Sequence, residues 1–209
     1  MPYLVIEHLE EISDWLWLEY RHASEWWKDK LIFTNVLPGE RGKLAKLGSV
    51  IGESVTRFPF DRSKIIVLDL QAEEELKPDD IDEDTVIVVG GILGDAVPRG
   101  RTREFITSRM EGVKVRHIGK AQFSIDGASI VAKLIADGRR LEEIEYEENP
   151  TIKLDEFSEI TLHYAVPKLN GRLLLTPGLI ELQKRELGYT EEEISDEELV
   201  EFFEGKREL

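Results

Sequence analysis

The runs KIIVLDL (residues 64–70) and TVIVVGGILGD (residues 85–95) carry consecutive apolar side chains without polar alternation. Successive side chains of a strand point to opposite faces, so such a run implies a strand covered on both sides. That is the habit of parallel sheets flanked by helices. Three further β-rich runs bring the strand candidates to residues 3–7, 31–35, 64–69, 85–91 and 113–118. Helical patterns fall between them, at residues 12–28, 41–51, 72–76, 102–110 and 127–137. Alternating β and α elements define an α/β fold with a parallel sheet.

In such a sheet, ligands bind beyond the carboxyl ends of the strands. After the fourth strand stands GGILGD, Gly90 to Asp95, whose adjacent glycines let backbone approach a ligand closely. The spacing fits neither a dinucleotide fingerprint nor a phosphate loop. A tight turn explains the glycines equally well. After the fifth strand, HIGKAQFSIDGASIVAKLIADG (residues 117–138) places Gly119 at the strand end and opens a helix on Ser124. Small residues follow on that helix, which either admit a cofactor or simply pack against the sheet.

The first strand ends in IEHLEE (residues 6–11), where Glu7, His8, Glu10 and Glu11 crowd together. Like charges at that density suit a cationic visitor or a solvated loop. On the next helix Ile12, Trp15, Leu16, Ala23, Trp26 and Trp27 make one apolar face, and Glu19 lies near its middle. A buried carboxylate must be paired, hydrogen-bonded or protonated, so Glu19 either holds a core arginine or reaches into a site. The four histidines show no metal-ligand spacing, and serine-hydrolase and zinc motifs are absent.

With 209 residues, 41% hydrophobic and 33% charged, the chain can build a sizeable core. It shows no run of about 18 apolar residues and no secretory leader, so a cytoplasmic location without a membrane span is expected. The lack of cysteine excludes disulfides and thiolate catalysis. The net charge of −16 counts against a nucleic-acid partner, because phosphate neutralisation supplies most of that affinity, and favours a basic protein.

Past Gly138 the sequence becomes acidic and polar, giving an expected division into a domain at 1–140 and an acidic extension at 141–209. Within the extension, residues 159–166 read as a strand closed by Pro167, and TPGLIELQKREL (176–187) as a helix with Pro177 in its first turn. Residues 190–209 hold nine acids against two bases and two capping-box patterns, Thr190 with Glu193 and Ser195 with Glu198.

Three stretches, YLVIEHLEEISDWLWLEY, VVGGILGDAVPRGRTREF and HIGKAQFSIDGASIVAKLI, together resemble the SPOUT methyltransferase family whose eukaryotic members are protein-arginine methyltransferases. The resemblance implies a five-stranded parallel sheet and a C-terminal trefoil knot that shapes a site for S-adenosyl-L-methionine. It places that cofactor among the loops carrying Asp69 and Leu70, then Gly90, Gly91, Ile92 and Gly94, then His117, Ile118, Gly119, Gln122 and Ser124. A bulky residue at Gly91 is accordingly expected to block the cofactor's approach. RNA-modifying relatives carry an arginine-bearing stretch where this chain has FSIDGA (123–128), which weakens transfer of an RNA mechanism.

Carboxylates can hold a guanidinium fork and favour proton loss as its nitrogen is methylated. Glu7, Glu19 and Asp95 are the expected catalytic group, with His8 accessory, and no metal. The expected function is methylation of arginine on a basic protein such as a ribosomal protein. The alternative is a transfer-RNA or ribosomal-RNA methyltransferase using Arg99, Arg101 and Arg103 on phosphates. A non-enzymatic cofactor sensor or scaffold is the third class. Monomer and homodimer both remain open.

Overall fold

The computed structural model describes residues 1–94 and 99–189. Its frame is a parallel sheet of six strands in the order β3-β2-β1-β5-β4-β6. The strands are β1 (Tyr3–His8), β2 (Leu31–Thr34), β3 (Ser49–Val50), β4 (Ile65–Leu68), β5 (Val86–Gly91) and β6 (Lys114–Arg116). Their apolar runs divide with period two. Leu4, Ile6, Ile66, Leu68, Ile87 and Val89 join one core cluster, while Val5, Ile65, Val67, Val86 and Val88 join another. Each face therefore removes its own set of methyl groups from water, which is why these runs lack polar residues.

Helix α1 (Asp14–Trp27) and helix α4 (Ile125–Ala136) pack together over the first face. Trp27 Nε1 donates to the Ser129 carbonyl at 2.9 Å and ties them. Ser13 caps α1 by accepting from Leu16 N, and Ser124 caps α4 by accepting from Gly127 N. The short α3 (Arg101–Phe105) lies by the second face, where Phe105 and Ile106 meet its cluster.

The sheet has six strands rather than five. The segment 41–51, expected to be one helix, is helical only over α2 (Arg41–Leu44), and its end becomes β3. Ile51 N bonds the Phe33 carbonyl at 2.8 Å, and a Cβ on Gly48 would stand 2.6 Å from Leu31 O. Glycine thus lets the chain press against β2, and pairing there outweighs local helix preference. Residues 72–76 are not helical either. Three successive glutamates repel, and Leu76 N bonds the His117 carbonyl at 2.8 Å instead.

Residues 159–166 are not one strand. β9 (Glu159–Thr161) forms a hairpin with β8 (Thr151–Lys153), and β10 (Ala165–Leu169) lies between β7 (Tyr146–Glu148) and β11 (Arg172–Leu173). Pro167 sits inside β10, where its carbonyl accepts from Leu174 N. Helix α5 (Leu179–Glu186) is capped by Gly178 at φ +88°, so Pro177 precedes the cap instead of entering the first turn. Residues 190–209, with both capping boxes, lie outside the described residues. Among the described residues no helix is long and apolar enough to cross a membrane.

Candidate functional site

A cleft of about 920 Å³, including its open mouth, lies over the carboxyl ends of β4, β5 and β6. Apolar side chains floor it, among them Leu68, Val89, Ile118, Phe123, Ile125 and Ala128. Asp69, Leu70, Gly90, Ile92, Gly94, Gly119, Gln122 and Ser124 join Ile118 in its lining. Nine of the eleven residues assigned to the cofactor thus meet in one place. That apolar character suits a small organic cofactor.

Gly91 and His117 do not line the cleft. Side chains alternate along β5, so Gly90 turns toward Thr102 and Ile106 while Gly91 turns toward α1. A Cβ on Gly91 would lie 2.4 Å from Tyr20 Oη and 2.8 Å from the Glu7 carbonyl. The expected obstruction by a bulky residue at Gly91 would therefore strike the core instead. His117 faces a groove shared with Glu73, Glu74 and Glu75. Its Nδ1 accepts from Gly119 N at 3.2 Å, which steadies the turn where Gly119 takes φ +110°.

Asp69 is only 2% exposed and accepts from Gln71 N, Thr107 Oγ1 and Arg103 Nε at 2.9, 2.8 and 3.2 Å. It holds its loop and α3 together at the cleft wall. Gln122 is pinned from the C-terminal region, where Ala165 N donates to its carbonyl at 2.7 Å.

Of the carboxylates on β1 and α1, Glu19 meets the cleft lining at Ile125, and Glu7 is bonded toward β2. Glu7 Oε2 accepts from Thr34 Oγ1 at 2.5 Å and Val55 N at 2.9 Å. His8 Nε2 lies 3.0 Å from Glu40 Oε2, and its Nδ1 lies 2.9 Å from Tyr20 Oη. A proton on Nε2 facing the carboxylate leaves Nδ1 as acceptor for the phenol, which gives a Glu40–His8–Tyr20 chain. Burial, followed by Glu19 and the nearby Glu10, Glu40 and Glu7, pushes the Tyr20 phenol well above its ordinary range.

Glu19 holds no core arginine. Its Oε1 accepts from Trp15 Nε1 at 2.8 Å and its Oε2 from Ile125 N, the first amide of α4, at 2.9 Å. Burial and the neighbouring Asp126 push its carboxyl up to about 8, against the opposing pull of these bonds. Asp126 is also buried, yet it stays below its usual range. Burial raises it, while bonds from His22 Nδ1 at 2.7 Å, Ser124 Oγ at 2.6 Å and Thr176 Oγ1 at 2.7 Å outweigh that. The two acids thus bind the opening turn of α4, whose Ser124 and Ile125 line the cleft, to α1 and to the C-terminal region.

Asp95, the remaining expected carboxylate, lies outside the described residues. Of the expected arginine strip, Arg103 meets Asp69 and the Gln71 carbonyl. Arg101 Nη1 lies 3.5 Å from Glu10 Oε1, and Arg101 also donates to the Leu93 carbonyl. Arg99 is exposed and lines the cleft. Sequence reasoning missed Glu40, Asp126 and Thr176 as parts of the site, since their partners lie far along the chain. Among the described residues no group of three or more histidines and acids could hold a metal ion.

Residues 3–190 match the model of a family described as "Protein arginine N-methyltransferase SFM1-like". The chain is 29% identical over 201 residues to protein arginine N-methyltransferase SFM1 of Saccharomyces cerevisiae, covering 87% of this chain and 94% of that one. The solved structure of the yeast SFM1 arginine methyltransferase complexed with SAM superposes with a TM-score of 0.81 at 25% identity, over 88% and 91% of the two chains. Its complex with SAH gives 0.78 at 26% identity, over 86% and 93%.

Proposed function

The chain belongs to the SFM1-like protein arginine N-methyltransferase family, and from that premise we propose that it transfers the methyl group of S-adenosylmethionine to an arginine of a basic protein. A ribosomal protein in the cytoplasm is the partner we favour. The observation that carries this reading is the meeting of two features at one end of the sheet. An apolar cleft over glycine-bearing strand ends adjoins a group of carboxylates around β1.

The cleft fits the cofactor: its apolar floor and glycine-exposed backbone at Gly90, Gly94 and Gly119 suit a nucleoside bearing a short polar tail. When bound, S-adenosylmethionine supplies an activated methyl on a sulfonium, so the protein's tasks are alignment and electrostatics. An arginine nitrogen must sit in line with that methyl and shed a proton as it is alkylated. Glu10, partly exposed beside the cleft, can hold the guanidinium. His8, strung between Tyr20 and Glu40, is proposed in an accessory role. Glu7 and Glu19 are proposed as positioning residues, because their oxygens already receive backbone amides. Asp95 remains in the proposal as a further carboxylate.

We also propose that the chain passes through a trefoil knot at the cleft, and that residues 1–140 form the catalytic domain with residues 141–209 docked on it. Support for the docking comes from the bonds of Ala165 to Gln122 and of Thr176 to Asp126. The RNA reading loses ground because Arg103 is engaged by the buried Asp69 of the protein itself.

Binding measured at several salt concentrations tests the choice of partner. At physiological salt an arginine-containing basic segment should bind more tightly than RNA of similar length. Its long-range attraction fades over a Debye length of about 8 Å, while contacts inside the site persist. A tight, salt-steep RNA complex would overturn the protein-substrate reading.

A further inference from the structure

Arg101 opens α3 and lines the cofactor cleft, with its side chain 22% exposed. Among its contacts, the guanidinium reaches two strand-end loops at once. Nη1 lies 3.5 Å from Oε1 of Glu10, which follows β1, and Nη2 donates to the carbonyl of Leu93, which follows β5. Glu10 is the carboxylate that the proposed function uses to hold an acceptor guanidinium, and its side chain is 29% exposed. A guanidinium is therefore already present at the mouth of the cleft, on the same acid.

The contact is built to yield. A carboxylate–guanidinium pair reaches full strength as a bidentate fork with two short, parallel bonds. Here the approach to Glu10 is long, and both side chains keep some exposure to solvent, so the pair falls short of that strength. The neighbouring Arg103 is held differently, against an Asp69 that is 2% exposed and has two further donors.

We infer that Arg101 is a resident stand-in for the substrate. In the free enzyme it occupies Glu10, and an incoming arginine side chain takes Glu10 by displacing it. The stand-in keeps the acid satisfied between turnovers. It also adds selectivity, because only a ligand able to replace a guanidinium regains what is lost. This inference rests on the arginine-acceptor reading.

Calorimetry on S-adenosylhomocysteine-loaded protein tests it, using a ten-residue glycine–serine peptide carrying one arginine. If Arg101 holds Glu10 about two-thirds of the time, R101A should tighten peptide binding about threefold by freeing the competent state. Glu10→Gln should weaken binding, and in that background R101A should bring no gain. R101K, which can still reach Glu10, should fall between the unaltered protein and R101A. Each variant is first saturated with S-adenosylhomocysteine, at a concentration set by its own affinity, so that only peptide binding is compared. Equal or weaker peptide binding by a folded R101A would contradict the stand-in alone. So would a gain that survives Glu10→Gln, which would mark it as a loss of surface charge. If the unaltered protein binds S-adenosylhomocysteine while it and all variants ignore the peptide, the acceptor reading falls and the stand-in with it.

Discussion

The cleft over β4, β5 and β6 and the acid cluster around β1 and α1 lie side by side, yet different physics makes them. The cleft comes from local backbone properties: strand ends, glycines and a capped helix start, each written in a few adjacent residues. The acid cluster comes from distant partners. Ile125 N reaches Glu19 across 106 positions, and Val55 N reaches Glu7 across 48. Polar groups that crowd together in sequence thus divide by what they meet. Glu7 and Glu19 hold backbone, His8 is strung between Glu40 and Tyr20, and Glu10 stays half open beside an arginine.

The two adjacent glycines of β5 offer the sharpest way to break that comparison. Gly91→Val adds atoms beside Tyr20 Oη and the Glu7 carbonyl, both within 2.8 Å of the new Cβ. Overpacking of that kind should cost about 3 kcal/mol, and thermal unfolding should show it. Gly90→Ala meets its nearest neighbour, Thr102 Oγ1, only at 3.2 Å, and that neighbour lines the cleft. This variant should stay folded but bind S-adenosylhomocysteine more weakly by calorimetry. A stable Gly91→Val with lost cofactor binding would reverse the assignment of the two faces.

Asp126→Ala comes next. It leaves His22, Ser124 and Thr176 without their common acceptor, and breaking such a buried pair costs about 3 kcal/mol. Denaturant unfolding should report the loss. A change below about 0.5 kcal/mol would mean that the network does not hold α4 in place.

Glu19 sharpens the comparison through pH. Its folded value of about 8 stands above the ordinary 4.5, so between those limits the folded state binds more protons than the unfolded one. Stability from this group is complete below about pH 4.5 and is lost as pH rises through 8. Thermal unfolding should therefore fall over that window, and Glu19→Gln should flatten the slope. Since Gln cannot accept from both Trp15 and Ile125 with its amide nitrogen, the variant should also lose about 1 kcal/mol at pH 5. An unchanged slope would show that another group titrates.

Much of the frame was legible because burial on both faces writes itself into consecutive apolar residues. Nine of the cleft residues came from the family resemblance, applied to the strand-end loops where ligands meet such a sheet. The two that lie off the cleft share a cause. Gly91 and His117 stand next to lining residues, and in a strand or tight loop one step reverses the side chain's direction. Glu19 was legible as an acid on an apolar face, but the helix end that receives it was not. β3 stayed hidden because two residues carry no period, and only contact with β2 makes them a strand.

Methyl incorporation tests the central claim most directly. The protein would be incubated with labelled S-adenosylmethionine and a mixture of basic ribosomal proteins and transfer RNA, and the fractions separated and hydrolysed. Label recovered as methylarginine in the protein fraction, with the RNA fraction blank, is the result expected from an apolar cleft beside carboxylates. Label in RNA, or none in either fraction from a protein that binds the cofactor, would contradict it.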